Sequence, residues 1–245
     1  MADFNNYQNR MAQDRAQTAA MIDEGLRAYM LKVYNLMALG LAITGIAAYG
    51  TYALAVSNPA FAQLLFASPL RWVIMLAPLG MVFFLSFRIN SMSVGAAQTT
   101  FWIYAALMGL SLSSIFLVFT GESIVQTFFV TAASFGALSL YGYTTKKDLS
   151  GFGSFLIMGL FGLIIASLVN IFLQSSAMGF AISVIGVLIF AGLTAYDTQK
   201  IKEMYFDGDD VAVAGRKAIM GALTLYLDFI NLFMFLLQFL GNRNE

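Results

Sequence analysis

The sequence lacks cysteine and histidine altogether: neither occurs among its 245 residues. Without cysteine the chain can form no disulfide, no thiolate metal site and no cysteine nucleophile. Without histidine it lacks the most common proton carrier and metal ligand near neutral pH. Any proton-sensitive chemistry must therefore rest on carboxyl groups, and a serine–histidine catalytic pair is excluded.

Charge is also scarce, since 11% of the residues are charged and 60% are hydrophobic. A soluble domain is about 25% charged, so this composition predicts an all-α membrane protein whose main surroundings are the lipid bilayer. The formal net charge is zero, which gives no electrostatic basis for binding nucleic acid. We expect neither a nucleic-acid partner nor a cofactor.

Seven apolar runs are long enough to cross a bilayer, because each exceeds about 18 residues. They cover residues 33–56, 70–89, 96–119, 124–143, 152–173, 178–199 and 217–240. No cleavable signal pattern precedes them. The predicted organisation is a polar N-terminal tail (1–32), a seven-helix transmembrane domain (33–241) and a short C-terminal tail (242–245).

The basic residues predict how these spans are oriented. If the N-terminus is cytoplasmic, 11 of the 13 lysines and arginines lie on the cytoplasmic side, with only Arg71 and Arg243 outside. This is the distribution that the positive-inside rule favours. A six-span alternative with a re-entrant last segment would return the C-terminus to the cytoplasm, but the unbroken apolar run of that segment favours seven.

Small residues spaced four apart, such as Ala132/Gly136 and Gly162/Ala166, predict where helices approach each other closely. Such pairs are common in any helical membrane bundle, and they indicate packing and not function.

The last span, "GALTLYLDFINLFMFLLQFLG" (221–241), has an aspartate near its middle. Its small and polar residues lie close to one helical face: Gly221, Thr224, Asp228, Asn231 and Gln238. An ionised aspartate at mid-span costs about 2.5–3.5 kcal/mol on insertion scales. We therefore expect this helix to be surrounded by other helices, with Asp228 protonated, paired or facing water.

The best partner for Asp228 is Asp197 in "FAGLTAYDTQKIK", at the end of the sixth span. The midpoint between the two falls at 211/212, so antiparallel helices joined by a turn there would hold both carboxyls at similar height. If the helices instead end at 203 and 216, the carboxyls lie at different depths. Two carboxyls in contact compete for one proton and titrate as a unit. The plainer alternative is that each aspartate simply hydrogen-bonds neighbouring helices together.

Arg88 ends the second span in "FFLSFRINS". One interpretation is a membrane-surface anchor whose guanidinium extends to the interface. The other is a latch that pairs with one carboxyl of Asp197 and Asp228 and is released when that carboxyl is protonated.

Three strings of this sequence resemble the bacterial branch of the Bax inhibitor-1 family. They are "KKDLSGFGSFL" between the fourth and fifth spans, "YDTQKIK" closing the sixth, and "LYLDFINLFMFLLQFLG" as the seventh. The resemblance covers residues 33 to 241 and implies six helices surrounding a central seventh. It also implies a pH-sensitive calcium leak, in which Asp197 and Asp228 sense protons and Arg88 serves as the latch.

The resulting functional hypothesis is a cation leak channel gated by the aspartate pair. Asp197 and Asp228 would be transient Ca²⁺ ligands, and Thr224, Asn231 and Tyr196 are pore-lining candidates, because oxygen ligands suit a hard cation. The alternative is a regulatory membrane protein, since relatives are linked to a membrane-bound quality-control protease and, in eukaryotes, to cell death. The resemblance further implies a bacterial inner membrane.

An enzyme is the least favoured function. Two aspartates on the last two spans are also found in intramembrane aspartyl proteases, where they share a proton. Those proteases carry a Gly-x-Gly-Asp string in the second of the two spans and a Pro-Ala-Leu string beyond it. Here the seventh span reads "LYLD" and no proline follows Pro78.

Overall fold

The computed structural model describes the backbone of residues 2–244 and the side chains of residues 21–244. It contains seven long helices: α1 (Ala2–Ser57), α2 (Leu70–Arg88), α3 (Val94–Leu112), α4 (Gly121–Thr144), α5 (Ser150–Leu173), α6 (Ser176–Glu203) and α7 (Val211–Leu240). Shorter helical segments lie at Pro59–Ala62, Gln63–Ala67, Ile89–Ser91 and Ile115–Val118. All seven long helices are long and apolar enough to span a bilayer, so the predicted all-α fold with seven spans is confirmed.

Polar side chains begin several of these helices. Ser93, Thr120, Ser175 and Asp210 each accept a hydrogen bond from the backbone N–H three residues later. These side chains satisfy N–H groups that have no partner inside the helix. Gln174 ends α5 in the left-handed conformation, with φ of 48°, which lets the chain reverse towards α6.

Both predicted tails continue into or contact the helical bundle. α1 has no helix end at residue 32, where the N-terminal tail was predicted to stop, and its backbone is helical from Ala2 to Ser57. At the other end of the chain, Asn242 and Asn244 hydrogen-bond to the backbone and side chains of the segment 116–123. An isolated β-bridge between Phe119 and Arg243 is the one strand-like pairing within residues 2–244.

α7 lies at the centre of the bundle. In its most apolar stretch 67% of the residues are buried, against 11% in α5. It packs directly against α1, α3, α4 and α6, whereas α2 packs on α3 and α5 packs on α6. The bundle therefore surrounds α7 unevenly, with four helices in extensive contact and two further out.

Glycines mark the closest helix contacts, but not the ones predicted. A Cβ on Gly109 would lie 2.5 Å from the carbonyl oxygen of Thr44, and one on Gly142 would collide with the Ala195 backbone. These glycines let α1 approach α3 and α4 approach α6. The prediction for Gly136 and Gly162 is wrong, because a Cβ on either would meet nothing within 4 Å.

Candidate functional site: a carboxyl pair in a cavity beside α7

The packing of α6 against α7 determines where the two aspartates meet. The helices run antiparallel, with Ile201 against Gly221 and Phe235 against Gly186. The absence of a side chain at Gly221 and Gly186 makes room for these larger neighbours. Asp197 and Asp228 lie between the two contacts and face each other in the same register.

The loop that connects α6 and α7 is not centred at 211/212, as a symmetric hairpin would require. α6 ends at Glu203, but α7 begins at Val211, so the first turns of α7 extend beyond the end of α6. Lys217 holds the connecting segment, donating to the Met204 carbonyl at 3.0 Å and pairing with Asp209 at 2.5 Å. The early start of α7 therefore keeps the carboxyls level even though α6 stops at 203.

The side chains of Asp197 and Asp228 are close enough to interact directly. Asp228 is only 4% exposed, whereas Asp197 is half-buried. The Oδ2 of Asp228 is buried and has no N–H or O–H donor within residues 21–244. Two ionised carboxyls can only accept hydrogen bonds, so a hydrogen bond between them would require one of them to carry a proton.

The pair lines a cavity of about 560 Å³ between α5, α6 and α7. The predicted pore-lining candidates Thr224, Asn231 and Tyr196 line the same cavity. The Asn231 Nδ2 donates to the Leu227 carbonyl at 2.8 Å, and the Thr224 hydroxyl donates to the Met220 carbonyl at 3.1 Å. The single hydroxyl hydrogen of Thr224 is used within α7, so Thr224 presents an oxygen acceptor to the cavity, whereas Asn231 keeps one N–H beside its carbonyl oxygen.

These oxygen atoms suit a hard cation that binds only transiently. Two carboxyls and two neutral oxygens are the kind of ligand that Ca²⁺ takes, but a strong site has six to eight oxygens. Among the described residues no group of three or more acidic, histidine or cysteine side chains is placed to hold a metal ion. A cation here would be bound weakly enough to leave.

The structure does not bring Arg88 to the pair. Its side chain is exposed at the end of α2, a helix that packs on α3 and lies outside the cavity. Within residues 21–244, Lys217 and Asp209 form the one ion pair. The latch stays a prediction that this arrangement does not display.

A family model described as "inhibitor of apoptosis-promoting Bax1" matches residues 26–245 of the chain. The chain belongs to the Bax inhibitor-1 family. The family inferred from three short strings is thus confirmed over nearly the whole length.

Three Bax inhibitor-1 relatives illustrate the similarity. The inner membrane protein YbhL of Escherichia coli K12 is 50% identical over 222 residues, which cover 89% of this chain and 93% of YbhL. An uncharacterized protein of Caulobacter vibrioides is 49% identical over 256 residues, spanning all of both chains. An uncharacterized protein of Rickettsia prowazekii is 52% identical over 223 residues, covering 91% of this chain and 93% of its own.

In this Bax inhibitor-1 family member, Lys200 also belongs to the site. From the sequence, it was counted only among the basic residues that orient the spans. It lines the cavity, and its ammonium lies 5.8 Å from the centre of the Tyr196 ring. It follows Asp197 by three residues on α6. The signal was present in the sequence, since residues three apart on a helix share a face.

Proposed function

We propose that the protein is a proton-sensitive calcium, or more generally cation, leak channel controlled by the Asp197–Asp228 pair. The contact between these two carboxyls inside a cavity beside the central helix carries the proposal. Membership of the Bax inhibitor-1 family supports it, because the three strings noted in the sequence imply this activity.

The physical basis is competition between a proton and a cation for the same pair. When one proton is held between the carboxyls, the pair carries a single negative charge. When that proton leaves to water, two like charges remain; unit charges at a separation of about 4 Å repel by about 4 kcal/mol at an effective dielectric constant of about 20. A cation that enters between them relieves the repulsion, and Thr224 and Asn231 contribute neutral oxygens to it.

We further propose that the channel lies in a bacterial inner membrane with its N-terminus in the cytoplasm and its C-terminus outside. The excess of lysine and arginine on one side of the spans supports this orientation. The relative YbhL is named an inner membrane protein, which supports the compartment.

The test is Ca²⁺ flux by purified protein in liposomes loaded with a calcium-sensitive dye, from about pH 5 to 8. Wild-type protein should give a flux that changes with pH. Asp228→Asn should remove that change, because an amide does not ionise in this pH range. Asp148→Asn is the matched control, since Asp148 is an exposed carboxyl outside the spans. Absence of flux at every pH, or the same pH profile in Asp228→Asn, would contradict the channel.

The same liposomes separate transport from the regulatory alternative. A protein that acts by binding a membrane protease through its N-terminal segment should lose that role when residues 1–28 are deleted. Under the channel proposal, this deletion leaves the flux and its pH profile intact.

A further inference from the structure

A second recess lies on the other side of α7, between α1 and α4. Both helices pack against α7 but have little contact with each other, which leaves a crevice between them. It contains a hollow of about 400 Å³ near Arg27 and Tyr143 and another of about 410 Å³ near Gly45 and Phe129. We call this the α1/α4 crevice; it is separate from the carboxyl cavity.

Each hollow of this crevice has a glycine in its wall, Gly136 in the first and Gly45 in the second. A Cβ on Gly45 of α1 or Gly136 of α4 would meet no atom within 4 Å. Glycine is among the least favourable residues in a helix interior, and here it serves no close helix contact. Its effect at these two positions is to leave space, as a groove for a ligand requires.

The Tyr34 and Ser139 hydroxyls in the crevice wall already have partners within the protein. The Tyr34 hydroxyl lies 2.6 Å from the Ser139 hydroxyl, which lies 2.9 Å from that of Thr198. Thr198 in turn donates to the Thr194 carbonyl at 2.7 Å. An apolar chain can therefore fill the crevice without leaving an unsatisfied polar group.

Positive charge lies at one end of the crevice, the end at which α6 meets the loop to α7. Arg27 lines the mouth and is exposed, and it forms no ion pair within residues 21–244, although Asp23 and Glu24 precede it on α1. Lys202 donates to the Tyr143 carbonyl at 2.8 Å, with its ammonium 5.2 Å from the centre of the Tyr143 ring. The apolar crevice thus ends at two cations at a membrane–water interface.

We propose that the α1/α4 crevice is a binding site for one anionic phospholipid. An acyl chain lies in the crevice beside Gly136, and the negatively charged headgroup lies at Arg27 and Lys202. A phospholipid fits because it combines an apolar chain with an interfacial phosphate. An anionic headgroup is favoured because a zwitterionic lipid brings its own positive charge towards the same two cations.

The test uses full-length protein in phosphatidylcholine bilayers with a trace of spin-labelled lipid. The immobilised fraction of the label is compared for phosphatidylglycerol and phosphatidylcholine by electron spin resonance. Wild type should prefer phosphatidylglycerol, by about fivefold for each cation. The double substitution Arg27→Gln/Lys202→Gln should bring the preference close to one.

Filling the crevice tests the site itself. Gly136→Leu should abolish the preference while keeping the fold, because the added side chain enters empty space. Gly162→Leu is the matched control, since its Cβ also meets nothing within 4 Å but it lies on α5, away from the crevice. Arg71→Gln controls for charge, because Arg71 lies over Trp72 at the start of α2 and does not line the crevice.

Three outcomes would overturn the proposal. An unchanged preference in both Gly136→Leu and the double substitution would show that the crevice binds no such lipid. An equal loss in Arg71→Gln would show general surface electrostatics. A change in oligomeric size with Gly136→Leu, without a change in lipid immobilisation, would assign the crevice to a second copy of the chain.

Discussion

The two sides of α7 use polar residues in opposite ways. On the side facing α1 and α3, the Tyr226 hydroxyl lies 2.6 Å from that of Thr44, which also donates to backbone carbonyls. The Tyr226 ring packs edge-on against Phe101 and Tyr104 and is fully buried. On the side facing α5, Asp228 and Asn231 border an open cavity. The difference shows that polarity near mid-membrane is structural where helices close over it and available for ligands where they do not.

The largest expected effect compares two positions on α7, one packed against neighbouring helices and one bordering the cavity. Gly221→Leu would place side-chain atoms where Ile201 and Val33 already lie, 2.9 and 3.4 Å from a Cβ. Overpacking of this kind costs about 1–3 kcal/mol. Thr224→Leu, one turn further on, extends into the cavity and should change thermal stability little. Circular dichroism melts in detergent measure both, and equal shifts would mean that the two positions are packed alike.

A smaller effect is expected from Tyr226→Phe. It removes the hydroxyl contact with Thr44 but keeps the aromatic packing, so we expect a loss of about 0.6 kcal/mol, the average for such bonds between membrane helices. Ca²⁺ flux and its pH profile should stay at wild-type levels. Asp228→Asn should do the reverse, altering the pH profile with less effect on stability. A changed pH profile in Tyr226→Phe would break the distinction between the two sides.

Lys200→Gln tests how the open side is tuned. The ammonium favours the charged form of the nearby carboxyl pair, so its removal should let the pair keep its proton to higher pH. The pH of half-maximal change in flux should rise by about one unit or less, as expected for an exposed charge. Lys146→Gln, a lysine in the α4–α5 loop and not at the cavity, is the control. A shift to lower pH would contradict the assigned role of Lys200.

The smallest expected effect is on stability, and it concerns a carboxylate that accepts hydrogen bonds from its neighbour in the chain. Asp148 lies in the α4–α5 loop and accepts a hydrogen bond from the Ser150 N–H at 2.8 Å. Hydrogen bonds from Ser150 hold the pKa of Asp148 below its ordinary value of 3.8. Because the folded-state pKa is lowered, this stabilisation is present above that ordinary value and lost as the pH falls through the lowered pKa. Asp148→Ala should be slightly less stable than wild type at pH 7, and the difference should vanish in strong acid; a difference that persists there would contradict this origin.

The sequence alone was sufficient for the spans and for the polar face of α7. Apolar length and helical periodicity are local properties, and the periodicity places Thr224, Asp228 and Asn231 on one side of the helix. The choice of Asp197 as partner followed from a symmetric hairpin, and both aspartates line the cavity beside α7. The hairpin itself is not the symmetric one expected. α6 ends at Glu203 whereas α7 begins at Val211, and Lys217 holds the connecting loop.

Other features depend on distances between helices, which a single sequence does not encode. Gly142 and Gly136 lie on the same helix and look alike in the sequence, yet one meets the Ala195 backbone and the other faces open space. Arg88 and Lys200 are both basic residues near the ends of spans, yet only Lys200 lines the cavity. Packing decides each of these cases.

The most direct test of the central claim is a pH titration of the aspartate side chains by infrared spectroscopy, with isotope-labelled aspartate in the purified protein. If Asp197 and Asp228 hold one proton between them, a carboxylic-acid band should lose intensity as the pH rises through the range in which flux changes. Both Asp197→Asn and Asp228→Asn should remove that band. A wild-type spectrum without such a band, or a band that survives both substitutions, would contradict the shared proton and with it the proposed control of the channel.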